Sequence, residues 1–150
     1  MAKTRVPAVE GLFTMDAANP RLLGGKAPNG SYSFPKNLGG TDPYSPLGDT
    51  EEVELSNRGR IWSYTNSCYP PPAPFVSRHD PFVPVTIAAV ELDAEKMVVL
   101  GQVVDGVTVD DLKVGMEVEL VLDTLYEDDD HEYLVWKWQP VTAAAEGADR

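Results

Sequence analysis

This sequence predicts an all-β fold: a small closed barrel behind a short, turn-rich module. From Glu51 to Pro140 apolar residues recur at a period of two in short runs, the spacing of strands with one buried face. Between Gly24 and Gly48 the composition shifts to Gly, Pro, Asn and Ser, the residues that punctuate turns. No stretch approaches the roughly 20 apolar residues of a membrane-spanning helix.

Before Pro28 the pattern is weak. Val9, Leu12 and Phe13 have helical spacing, which predicts a short N-terminal helical turn ending near Asp16 to Asn19. The basic start Met1–Pro7 lacks the apolar run of a secretory signal. Leu22–Gly25 and Gly39–Pro43 read as turns, with a short strand at Ser31–Pro35 between them. Val53 and Leu55 alternate with Glu52 and Glu54. In the next strand Ile61, Ser63 and Thr65 are expected on one face, with Trp62 and Tyr64 on the other. Val83, Val85 and Ile87 alternate, whereas Val90 and Leu92 fall on the opposite parity, so a bulge is expected near Ala88–Ala89. Met97–Leu100 is apolar throughout and predicts a strand covered on both faces. Asp110 and Asp111 point to a capped helical turn before Gly115. Met116, Val118, Leu120 and Leu122 then mark the clearest strand. A polar turn from Tyr126 to His131 leads to a last strand in which Leu134, Trp136 and Trp138 alternate with Tyr133, Val135 and Lys137. Five or six short strands with one helical turn before the penultimate one favour an OB-type barrel. The expected division is residues 1–50 for the N-terminal extension and module, 51–141 for the barrel and 142–150 for a disordered tail.

Charge narrows the function. The chain has 12 basic and 24 acidic residues, a net charge of −12. Nucleic-acid binders draw much of their affinity from Lys and Arg on phosphates, so DNA, RNA and anionic membranes are poor partners. The acids concentrate from Glu117 to Glu132, which reads first as a solvated face. A single cysteine, Cys68, excludes an intramolecular disulfide framework and every multi-cysteine zinc site, and suits a reduced, cytoplasmic setting.

Several segments together resemble a known family: Arg58–Thr65, Asp80–Pro84, Ile87–Leu92 and Leu112–Val118. In order and spacing they are similar to the acyl-CoA-associated OB-fold family, a domain of unknown function, over roughly Val6 to Val141. Members usually carry a rubredoxin-like zinc ribbon before the barrel. Leu22–Gly30 and Phe34–Pro35 look like that frame without its thiolates: Ala27 and Asn29 stand near the first cysteine pair, and no cysteine falls between Asp42 and Leu47. The resemblance therefore implies a degenerate, metal-free ribbon held by packing, with Tyr32, Phe34, Leu38 and Tyr44 as the expected anchors. It also implies a non-catalytic accessory subunit of a thiolase-like or ketosynthase-like enzyme, such as a sterol-carrier-type thiolase or side-chain aldolase. That subunit would shape an acyl or CoA channel while the partner supplies the catalytic residues, with no cofactor of its own and an acyl-CoA thioester at the shared interface.

The residues offer no convincing catalytic set. Cys68 is a nucleophile only with a base, and His79 and His131 are the two histidines. His131 with Asp128, Asp129, Asp130 and Glu132 offers hard oxygen donors, but not in the spacing of an EF-hand loop. The Gly-rich segments lack the Lys-Ser/Thr of a phosphate loop. The loop Tyr69–Val76, stiffened by four prolines, reads either as a partner contact or as a rigid crossover over the barrel end. Trp62, Tyr64, Tyr69, Phe75 and Phe82 are the candidate partner- or acyl-CoA-facing residues. Trp62, Trp136 and Trp138 serve core packing or an interface. An independent acyl-CoA-binding or thioester-cleaving protein is the alternative.

Overall fold

The computed structural model describes residues 2–36, 50–74 and 81–141. Leu38, Tyr44, Phe75, His79 and the expected tail at 142–150 lie outside the described residues.

Five strands close into the barrel. They are β5 (Arg58–Ser67), β6 (Val85–Leu92), β7 (Val98–Val103), β8 (Glu117–Glu127) and β9 (His131–Pro140). Antiparallel pairs β5–β6, β6–β7, β8–β9 and β5–β8 are joined by one parallel contact, where Gln102 and Val103 of β7 meet Lys137 and Trp138 of β9. With that contact the sheet has closed on itself, which is the OB-fold architecture. Between β7 and β8 the helical element is one 3-10 turn, Val109–Asp111. Thr108 caps it, and the Asp111 side chain accepts the Thr108 backbone N–H in return.

The barrel interior follows the period-two pattern. Ile61, Ala88, Val90, Leu92, Val99, Val103, Val118, Leu120 and Trp138 are buried in one cluster, with Leu112 plugging it from the 3-10 turn side. Gly101 makes room for the aromatics: a Cβ there would lie 2.8 Å from the Nε1 atoms of both Trp136 and Trp138.

The irregularity falls on β5, not on β6. Ile61 pairs with Val90 and Ser63 with Ala89, so Trp62 is the inserted residue. Thr86, Ala88, Val90 and Leu92 keep one unbroken inward parity, leaving Val85 and Ile87 on the half-exposed outer face. The expected bulge at Ala88–Ala89 is thus replaced by one across the ladder. It reverses the parity of β5, so Tyr64 packs against the core while Trp62 stays outside. The double coverage expected of Met97–Leu100 is also corrected: Val99 is buried, but Val98 and Leu100 are exposed.

The N-terminal segment contains no helix among its described residues. Thr4–Pro7 forms β1, parallel to β9 from His131 to Leu134, and Val9, Leu12 and Phe13 follow in turns. Helical spacing over three residues is overridden by pairing with the next segment, in which Phe13 bridges Leu22 and the Leu23 N–H donates to the Leu12 carbonyl. Leu23–Lys26 (β2) lies between Tyr32–Ser33 (β3) and Glu51–Glu54 (β4) in a small antiparallel sheet. Gly24 and Gly25 are therefore strand residues and not a turn. Gly24 is needed for close approach, since a Cβ there would lie 2.7 Å from Leu55 and from the Ser33 carbonyl.

Aromatic edges join this module to the barrel. Phe13 and Phe34 meet Trp136 in T-shaped contacts with centroids 6.0 and 5.4 Å apart. Tyr32 lies half-buried against the core, and Lys26 Nζ sits 5.6 Å from its ring centre. Leu22 and Leu55 are fully buried in the same cluster.

On the outer face of β9, Lys137 is buried to 3% side-chain exposure, with Nζ 3.0 Å from Asp123 and 3.5 Å from Asp105. Lys137→Ala removes both the charge these carboxylates share and the packed stem. Both aspartates are partly exposed, so the expected loss is about 2 kcal/mol, below the 3–5 of a fully buried pair. Lys137→Met, which keeps the stem, is expected to recover part of it in urea unfolding. Equal stability of all three proteins would show that the pair contributes nothing.

Candidate docking surface

Three groups of chemically capable residues lie on separate parts of the barrel, and one of them borders a groove. The first is the β8–β9 hairpin. The Asp128 carboxylate accepts the backbone N–H groups of Asp130 and His131 at 2.9 and 2.7 Å, and the Tyr133 hydroxyl at 2.8 Å. Tyr133 in turn stacks on Tyr126 at 4.6 Å. These bonds, the His131 N–H first, hold Asp128 below the usual carboxylate range, while the hydrogen bond that the phenol donates to Asp128 pushes Tyr133 above 10.0. The turn bond therefore persists between these limits. Its contribution is lost as pH falls through the lowered Asp128 value, below 3.8, and that of Tyr133 as pH rises through its raised value, above 10.0. Asp128→Asn is expected to bring the Tyr133 phenol back toward 10.0, read by ultraviolet titration of tyrosinate. An unmoved Tyr133 would show that another group sets it. His131 Nδ1 lies 3.7 Å from Asp128, but no group of three or more His, Cys, Asp and Glu side chains suited to a metal exists among the described residues.

The second is the Cys68 region. Its thiol is exposed and donates to Asn66 Oδ1 at 3.4 Å. His131 belongs to the β8–β9 hairpin and is engaged there with Asp128. Next to Cys68, Tyr69 is 83% exposed at the start of the proline loop, and Phe82 is half-buried where the chain re-enters β6.

The third is a group of exposed apolar residues on neighbouring strands that borders a groove. Trp62, 63% exposed, stands on the bulge of β5. The row of partners runs from Ser63 to Ala89 and on to Leu100, itself 64% exposed, with Val98 one step along β7. Beyond them opens a groove of about 380 Å³ lined by Leu12, Phe34, Pro35, Met97, Val99 and Trp136, with Val98 and Leu100 at its lip. Neither the groove nor its lip was anticipated, because Met97–Leu100 reads as a doubly covered strand. The exposed Leu100 at the centre of an otherwise barrel-like pattern carries no signature of its own in sequence. The three tryptophans separate cleanly: Trp138 is core, Trp136 joins module to barrel, and Trp62 faces solvent.

The hairpin Ala27–Ser31, where the resembled family places its first thiolates, is closed by other means. Ala27 N–H donates to the Ser31 carbonyl at 2.8 Å, Gly30 N–H to the Ala27 carbonyl at 2.9 Å, and Ser31 N–H to Asn29 Oδ1 at 2.9 Å. A buried methyl and an amide oxygen already used as an acceptor do not fit zinc. Backbone bonds and an Asx turn hold this loop.

Comparison with known proteins agrees with this architecture. Residues 52–123 match the family described as ChsH2, C-terminal OB-fold domain. A solved structure titled Ltp2-ChsH2(DUF35) aldolase superposes with a TM-score of 0.57 at 27% identity, covering 81% of this chain and 86% of that one. A DUF35 domain-containing scaffold protein of Pyrococcus furiosus is 33% identical over 126 residues, covering 81% of this chain and 84% of the relative. Identity at that level across most of both chains places this protein in the DUF35 domain-containing family of OB-fold proteins.

Proposed function

We propose that the protein is a non-catalytic accessory subunit that docks on a thiolase-like enzyme acting on acyl-CoA thioesters, in a reduced, cytoplasmic setting. The observation that carries this reading is the group of exposed apolar side chains, Trp62, Val98 and Leu100, on neighbouring strands beside the Trp136 groove. Soluble chains seldom leave a patch of that kind uncovered unless something binds there. Its relatives support the kind of partner: one is named a scaffold protein and the other belongs to an aldolase assembly. On this reading Trp62, Tyr69, Phe75 and Phe82 face the partner or the thioester channel, and Tyr32 and Phe34 hold the metal-free module against the barrel. The partner's own residues carry the carbon–carbon chemistry.

Co-expression with thiolase-like enzymes of the source organism, followed by size-exclusion chromatography with mass detection, tests this. A complex of near-equal stoichiometry, with turnover that requires both chains, is the expected result. An isolated chain that turns over an acyl-CoA by itself, or that stays a monomer beside every such enzyme, would sink the accessory reading.

A further inference from the structure

Among the described residues strand β7 has a free edge. It pairs with β6 along Val98–Gln102, but with β9 only at Gln102 and Val103. The directions of its backbone groups follow from two bonds. Leu92 N–H donates to the Met97 carbonyl, so odd-numbered residues of β7 face β6. Trp136 Nε1 donates to the Leu100 carbonyl at 3.3 Å, so Leu100 and Val98 face the other way. The N–H and C=O of Val98 and the N–H of Leu100 therefore lie along an edge that no strand covers among the described residues. The indole of Trp136 caps the remaining carbonyl and marks where the free edge ends. This edge runs beside the apolar groove of Leu12, Phe34, Pro35 and Trp136.

We infer that the β7 edge and its groove form a strand-addition site for an extended segment of the partner protein. The segment would bond to Val98 and Leu100 and lay an apolar side chain into the groove. This deepens the docking reading above and rests on it for the kind of occupant. The edge argues for a peptide, because an acyl chain would fill the groove and leave three backbone groups without partners. Charge selects among peptides. A second copy brings another −12, whereas a segment flanked by lysine or arginine meets a complementary field. Proline at the pairing positions is excluded for lack of an N–H.

The test uses the full chain and a fluorescein-labelled peptide of alternating valine and threonine between lysine pairs. A second peptide is identical except that its edge-facing amide nitrogens are methylated. The first is expected to bind and to slow amide exchange at Val98 and Leu100. The methylated peptide should bind at least about tenfold more weakly. Val98→Pro removes an edge donor without touching the β6 ladder, and should weaken the first peptide by a similar factor while far-ultraviolet circular dichroism stays unchanged. Equal binding of the two peptides overturns the proposal, as does no binding of either or unchanged exchange at Val98 and Leu100. Displacement by a medium-chain acyl-CoA without amide protection would assign the groove to an acyl chain instead and also overturns it. Complex formation with an enzyme subunit is read separately by co-expression, so either idea can fail while the other stands.

Discussion

Trp138→Ala is expected to cost about 3–5 kcal/mol, the largest single loss in the barrel. The side chain is wholly buried, and its strand joins both β7 and β8 at that point. Domains of this size hold roughly 5–15 kcal/mol in total, so the variant would sit near the edge of folding. Urea unfolding followed by tryptophan fluorescence measures it, and a loss under about 1 kcal/mol would contradict the packing described. Two companions separate the causes. Trp138→Phe should cost much less, because the indole N–H finds no acceptor among the described residues and its removal relieves an unsatisfied donor. Gly101→Ala should cost about 1–3 kcal/mol by forcing a methyl against both indole nitrogens.

The second large effect concerns assembly. Trp62→Ala is expected to weaken binding to the enzyme subunit by about 2 kcal/mol or more, roughly thirtyfold in the dissociation constant. The same change should leave unfolding free energy within about 0.5 kcal/mol, because the indole is mostly in solvent and touches little of the core. Tyr64→Ala is the contrast. That ring packs inward after the bulge, so its loss should appear in stability and not in assembly. Isothermal titration with the purified partner reads the first quantity and urea unfolding the second. Unchanged affinity in Trp62→Ala would remove the bulge from the interface.

What sequence could show depended on whether a feature is local. The alternation of Val118, Leu120 and Leu122 against glutamates is a property of neighbours, and it was legible because β8 has one wet face. The capped turn at Thr108–Asp111 was equally legible, since capping chemistry lies within four residues. Features set by distant partners were not. Thr4–Pro7 is too short to announce itself as a strand, and its pairing partner begins at His131. The parity change read between Ile87 and Val90 has no counterpart in β6, whose inward parity is unbroken, and the inserted residue, Trp62 on the neighbouring strand, left no mark in its own pattern. The apolar run Met97–Leu100 implied coverage on both faces, but an apolar side chain in a short strand does not by itself say whether its face is covered, and Val98 and Leu100 are exposed. Gly24–Gly25 looked like punctuation because the side chain that demands the space, Leu55, is remote in sequence.

The order of the strands also bears on how the chain is made. β9 is synthesised last, yet it pairs with β1, β7 and β8. Until that strand leaves the ribosome the barrel has no closure, and β1 has nothing to lie against. Contacts of such long sequence separation fold slowly. Until β9 is in place, the apolar interior of the other barrel strands is incompletely covered. Such a state favours early capture by a chaperone.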